Sequence, residues 1–392
     1  MTWTLLSPAL AVRCCGTFGP GQCARDNRRS LVSSGNCTAS RARRTNQRHS
    51  GTKTRALCFH GHVDDKLSTL TTTLDAASDR MRSGRHAADR IWPTGFGALD
   101  PAIGGGLRSG SLVLLAGPAG LGKTTFALQV CRNVVRLGRP ILYFSYEHEA
   151  EDLLAKLVSL EAGELDDSDQ ARLSAIQEAF DALEGGTIEQ RLDGVPYANQ
   201  ALGVVRDYSP LLFVHRSTGS STGLAAIRDA AEAVQRESGV MPLIVVDYLQ
   251  KVHVPHAPAE EEERSTVVVE GLKDLAIDLS APVLAVVAAD KVGMEPGRRM
   301  RLNHLRGSSA LAYEADIVMV LNSKFDIVAR HHLTYDLGNA ERFREWAVVT
   351  VEKNRFGRSL ELEYRKRFDQ GRFETTGRRI SEQLVDERVF ME

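Results

Sequence analysis

The stretch "GPAGLGKTTFALQV", residues 117–130, decides the reading of this chain. It follows "SLVLLAG" (111–117), a short apolar run that ends in glycine and therefore reads as a buried strand. The two together spell G-x-x-x-x-G-K-T, with Gly117, Gly122, Lys123 and Thr124 at the defining positions. Glycines let successive backbone N–H groups curl around phosphate oxygens, and Gly120 and Thr125 complete the cradle. Lys123 reaches the β- and γ-phosphates, and the Thr124 hydroxyl ligates Mg2+. "KTTFALQVCRNVVRLG" continues as a helix whose positive end faces the anion. A chance glycine-rich turn would not come with strand, loop and helix in the required order. The chain is expected to bind a nucleoside triphosphate.

Working outward, "PILYFSYEHEAEDLLAKLVSL" (140–160) is another buried strand running into a helix. Ser145 is a candidate helix cap, and Glu147, Glu149, Glu151 and Asp152 crowd the first turn, where acids suit the helix dipole. Glu147 lies nearest the carboxyl end of the strand, where open α/β sheets gather ligands. A carboxylate there can orient and deprotonate the water that attacks a γ-phosphate. "MPLIVVDYLQKV" (241–252) supplies a third buried strand and ends it with Asp247. An acid there is costly unless it meets a cation, and beside a phosphate loop that cation is Mg2+. "APVLAVVAADK" (281–291) and "ADIVMVLN" (315–322) read as the fourth and fifth strands, with helical patterns at 222–238 and 264–280 between them. Near-continuous apolar strands alternating with helices imply an α/β fold, a mainly parallel sheet covered on both faces. Right-handed crossovers then gather Gly117–Thr124, Glu147 and Asp247 on one edge.

The chain has 392 residues and a net charge of -1, which hides an asymmetry. Residues 1–60 carry a net +9 and the remainder a net -10. Five of the six cysteines fall in the first sixty residues and only Cys131 in the body, so a reducing, cytoplasmic setting is expected. The first sixty residues lack periodicity and are expected to be a disordered basic tail. A nucleic-acid arm, an organelle transit peptide and a functionless extension are the competing readings. "CFHGH" (58–62) matches no zinc spacing. Residues 61–90 read as a linker. Within 65–84, Leu67, Leu70, Leu74, Ala77 and Met81 form one stripe of an amphipathic helix, which must pack on the core or on a neighbouring subunit. No apolar run is long enough to span a membrane.

Six segments in order, from "TGFGALDPAIGGGLRSGSLVLLAGPAGLGKTTFALQV" through "YFSYEHEAEDLL", "LIVVDYLQ", "LKDLAIDLSAPVLAV" and "HLRGSSALAYEADIVMVL" to "VEKNRFG", resemble the RecA-like motor domain of DnaB-type replicative helicases. The likeness covers roughly 91–375, leaving 376–392 as a tail. "TGFGALDPAIGGGL" also resembles the RadA/KaiC branch of the superfamily. The resemblance implies ATP and Mg2+ as cofactors, single-stranded DNA as partner and a hexameric ring. It also implies that Lys353 and Arg355, a K-x-R in the hairpin "VTVEKNRFGRSLELEY", complete the neighbouring subunit's site.

The family's motor normally follows a helical domain that docks a primase. Only the tail and the 65–84 helix stand there, which argues against primase contact. Where the family has a glutamine sensor at the end of the fourth strand, this chain has Ala288, with Asp290 two residues on. Glu260–Glu263 read as a solvated helix start. The next loop, "MEPGRRMRLNHLRG" (294–307), offers Arg298, Arg299, Arg301 and Arg306 as candidate DNA contacts. Two other readings are carried beside the helicase. One is a RadA/KaiC-like ATPase in recombination or regulation without unwinding. The other is a nucleotide-gated assembly protein, which the acidic body favours.

Overall fold

The computed structural model describes residues 67–84, 90–166, 171–183, 185–289, 295, 297–305, 307–334 and 337–387. The basic tail, Asp290 and Arg306 lie outside these. Residues 68–392 form one unit, and within it a stripe-bearing helix α1 (Leu70–Arg82) comes first. Thr69 caps it by accepting from Thr72 N, and none of its residues is buried.

The body opens with two short antiparallel strands, β1 (Ile91–Trp92) and β2 (Leu107–Arg108), around a one-turn helix α2 (Leu99–Ala102). The chain then alternates. Strands β3 (Leu112–Ala116) and β4 (Ile141–Ser145) flank helix α3 (Lys123–Val135). Helices α4 (Ala150–Leu165), α5 (Leu173–Asp181), α6 (Ile188–Leu192) and α7 (Ala198–Tyr208) lead to β5 (Leu212–Arg216). Then follow α8 (Leu224–Ser238), β6 (Leu243–Asp247), α9 (Glu261–Leu279), β7 (Val283–Val287), α10 (Ser308–Glu314) and β8 (Ile317–Ser323). The long hairpin β9 (Trp346–Asn354) and β10 (Leu360–Arg367) and the short β11 (Arg372–Phe373) and β12 (Arg378–Arg379) complete the sheet.

Sheet order is β11-β10-β9-β8-β3-β7-β6-β4-β5, with β12 on β10. From β8 to β5 all neighbours are parallel, and from β8 outward through β9, β10 and β11 they are antiparallel. The five expected strands are all present. β5 is an addition: its apolar residues sit only half-buried on the far edge, too weak a run to mark a strand.

Alternation along each parallel strand builds two cores. Val113, Leu115, Tyr143, Val245, Leu284 and Val286 face α3, α4 and α7. Leu112, Leu114, Leu142, Ile244, Val246 and Val283 face α8, α9 and α10. Apolar residues at every position of "LVLLA" and "VLAVV" are what a strand with helices on both faces requires. Among the described residues, no helix is long and apolar enough to cross a membrane.

Candidate nucleotide site

All the parallel strands end on one edge, and the loop from β3 into α3 sits at its centre. Gly120 (φ 77°) and Gly122 (φ 80°) are in the left-handed region that side chains disfavour. At Gly122 packing forbids a side chain as well, since a Cβ would stand 2.6 Å from Phe368 Cζ. A Cβ on Gly117 would meet Leu321 of β8 at 2.9 Å. Lys123 and Thr124 open α3, so backbone N–H groups of the first turn have no partner within the helix and point at the loop. Thr125 follows them, half-buried. Lys123 Nζ donates to Gly117 O at 2.9 Å and Pro118 O at 3.0 Å. Burial lowers its pKa, and Asp247 and Glu147 oppose that shift.

Asp247 ends β6 in register with Ser145 of β4 and is buried. Its Oδ2 accepts from Thr124 Oγ1 at 2.8 Å and from Tyr143 Oη at 2.7 Å. Threonine hydroxyl and aspartate carboxylate are hard oxygen donors on adjoining elements, the donor set Mg2+ takes. Tyr143 was hidden in an apolar strand. The clue in hindsight is that a fully buried phenol needs a partner. The acid beside it pushes the phenol's pKa further up, after burial.

Glu147, two residues past β4, is exposed on the same edge. Ser145 does not cap the following helix. Its Oγ bonds the backbone of His148 instead, and Glu149 is the N-cap, in a capping box with Asp152. His148 Nε2 lies 3.2 Å from Lys156 Nζ; burial, then the lysine, lowers the histidine's pKa. Gln250 was also missed. Its Oε1 accepts from Ala288 N at 3.1 Å, while its Nε2 is buried with no partner among the described residues.

Lys353 and Arg355 lie elsewhere. Lys353 pairs with Val318 at the start of β8, and Arg355 N donates to Asp316 O, one residue before it. Gly117 follows the opposite end of β3, so Arg355 is separated from its own phosphate loop by the length of a five-residue strand, about 16 Å. Arg355 Nη1 pairs with Asp316 Oδ1 at 3.1 Å and Nη2 donates to Tyr313 O, with half the side chain exposed. Lys353 Nζ donates to Ala312 O and Tyr313 O.

The arginine loop is already engaged. Arg299 is 3% exposed and bonds Thr350 Oγ1 at 3.0 Å and Glu361, so it holds the loop to the sheet and is no DNA contact in this arrangement. Arg298 pairs with Glu295 and Glu387, and Arg301 with Glu352 and Asp386. Glu260–Glu263 do form a helix start: Glu260 is the N-cap of α9 and the other three its first turn.

A family model for the DnaB-like helicase C-terminal domain matches residues 92–375. Replicative DNA helicase DnaB of Haemophilus influenzae is 28% identical over 260 residues, 65% of this chain and 51% of that protein. The Pasteurella multocida protein of the same name is 29% identical over 254 residues, 64% and 50%. The chain spans about half the length of these curated relatives. Two solved structures share the fold at 20% identity. A DnaB-like replicative helicase, described with its interactions with primase, has a TM-score of 0.60 over 78% of this chain and 68% of its own. The second, an ATPase domain, has a TM-score of 0.61 over 79% of this chain and 99% of its own. The chain belongs to the DnaB-like helicase C-terminal domain family.

Proposed function

We propose, from that membership, that the chain is an ATP-driven helicase motor of the DnaB type that moves on single-stranded DNA in replication. The observation that carries the reading is the separation of Lys353 and Arg355 from the phosphate loop they would serve. Cations at one edge of the sheet and a phosphate cradle at the other suit head-to-tail subunits in a closed ring, each completing the next one's site. We take that ring to be a hexamer.

Within a site, the N–H groups of Gly117–Thr124 bind phosphate oxygens, and Lys123 exchanges two carbonyls for the β- and γ-phosphates. Thr124 and Asp247 would hold Mg2+, which would neutralise charge on the phosphates. Glu147 takes a proton from the attacking water. Arg355 of the adjacent subunit leaves Asp316 and Tyr313 to meet the γ-phosphate, and Lys353 stands beside it. Arg298 and Arg301 contact the DNA backbone, and Arg306 and Arg299 are not needed for this reading. α1 exposes Leu70, Leu74 and Met81 and covers them on a neighbour. We place the protein in the cytoplasm.

The test is steady-state ATP hydrolysis with and without single-stranded DNA, beside Arg355→Ala. The reading expects strong DNA stimulation that the variant loses; a rate indifferent to DNA and to Arg355 overturns it. The regulatory ATPase alternative predicts DNA-stimulated hydrolysis without strand displacement on a forked duplex.

A further inference from the structure

Among the described residues of the loop before α10, the partly exposed arginines Arg298 and Arg301 are held by Glu387 and Asp386. Arg301 aims Nε and Nη2 at one oxygen, Asp386 Oδ1, at 2.8 and 2.6 Å. Its Nη1 bonds Glu352 Oε1 at 3.0 Å. Arg298 pairs with Glu295 at 3.0 Å and reaches Glu387 Oε1 at 3.4 Å. The segment carrying Asp386 and Glu387 arrives as an extended strap. Ala329 N donates to Gln383 O, Val385 N to Ile327 O, and Arg299 N to Asp386 O, each at 2.8 Å. Arg298 and Glu387 add an antiparallel bridge.

The two ends of the strap are held by different physics. At its root Glu382 meets Lys324 Nζ at 2.9 Å, and that lysine is 1% exposed. At its tip Asp386 and Glu387 are 71% and 66% exposed, so their pairs are screened by salt and weak. The root is anchored by buried charge, and at the tip the backbone is held while the exposed side chains of Asp386 and Glu387 are exchangeable.

A guanidinium that closes its fork on one anionic oxygen binds as it would bind a phosphate. On its other side the loop adjoins the nucleotide cradle: a cavity of about 160 Å3 separates Pro118, Ala119 and Leu121 from Gly297 and Arg298. The same short loop therefore shares a cavity with the β3–α3 loop and is paired with the strap.

We infer that strap 383–387 is a built-in competitor for nucleic-acid phosphate, with Asp386 and Glu387 occupying Arg301 and Arg298 until single-stranded DNA displaces them. The inference rests on the reading of this loop as a DNA contact. DNA then binds with its intrinsic affinity reduced by the fraction of molecules whose strap tip is released. Salt screens the strap's own exposed ion pairs, so the competition is strongest at low salt.

The experiment uses the full chain and a fluorescent oligothymidylate, with anisotropy titrations at several salt concentrations. The double variant Asp386→Asn/Glu387→Gln keeps shape and removes charge. It is expected to bind roughly three- to tenfold tighter at low salt. The gain is expected to shrink as salt rises, because salt screens the wild-type strap as well. Arg301→Ala is measured beside it and is expected to weaken binding. Low-salt affinity that is unchanged or lower in the double variant, with Arg301→Ala still weakening, overturns the strap and leaves the DNA loop standing. Arg301→Ala without effect overturns the loop reading itself. Should the double variant unfold, Asp386→Asn alone retains the Glu387 bridge and gives the same comparison.

Discussion

Lys123 is bound to its own loop through the carbonyls of Gly117 and Pro118, and it must let both go to serve a nucleotide. Asp247 and Glu147 help it keep its proton against the pull of burial. Glu147 itself is exposed beside the cradle, as a group that meets water must be. Glu147→Gln is expected to lower kcat by about 10²- to 10⁴-fold while nucleotide binding persists, which single-turnover hydrolysis and equilibrium ATP binding would separate. Hydrolysis within a few-fold of normal would remove Glu147 from the water-activating role. Gly122 answers to two constraints, a positive φ and the Phe368 ring. Gly122→Ala is expected to cost about 1–2 kcal/mol of stability from the backbone alone, read from urea unfolding, and to weaken ATP binding in parallel. A variant with normal stability and affinity would show that the loop tolerates a side chain there.

At the scale of elements, the antiparallel hairpin and the C-terminal segment form an outer layer locked by buried charge. Lys324 Nζ meets Glu363 Oε2 at 2.5 Å, both 1% exposed, and Arg378 binds the other carboxylate oxygen of Glu363 at 2.6 Å. Lys324→Ala leaves the buried Glu363 with Arg378 as its remaining cation and is expected to cost up to about 3 kcal/mol, measurable as a lowered denaturation midpoint. Glu382 on the same lysine is partly buried, which pushes its carboxyl up, but the Lys324 hydrogen bond and charge outweigh burial and hold it below 4.5. Its contribution to stability is therefore complete above its ordinary value of 4.5 and is lost as pH falls through the lower folded value. Wild type should lose stability in that acid window faster than Glu382→Gln; parallel curves would contradict this. Much of this layer was readable: alternating apolar residues mark β9 and β10, and the runs "LVLLA" and "LIVVD" mark strands buried on both faces. The glycine loop between β3 and α3 was legible because strand, loop and helix are neighbours in sequence. What escaped depends on partners distant in sequence. Arg301 reads as a free cation until Asp386 is seen against it, and Arg299 reads as exposed until Glu361 closes over it. β5 escaped because an edge strand needs only a weak apolar run.

For the whole molecule, the β3–α3 loop and the Lys353–Arg355 pair proposed to complete a neighbour's site sit at opposite edges of one sheet, and α1 turns its leucines outward. Leu70 and Leu74 are 88% and 65% exposed. Leu70→Lys/Leu74→Lys is expected to reduce the assembled mass by sedimentation while leaving the unfolding midpoint of the body unchanged. An unchanged mass would free α1 from any part in assembly. The central claim, that a site is completed by the next subunit, has a more direct test. Lys123→Ala keeps Arg355 and loses the cradle; Arg355→Ala keeps the cradle and loses the finger. Each alone should hydrolyse ATP at background. An equal mixture, assembled with single-stranded DNA, should regain activity because about a quarter of its head-to-tail interfaces pair an intact cradle with an intact arginine. A mixture that co-assembles and stays at background, or an Arg355→Ala protein that is fully active alone, would contradict the account.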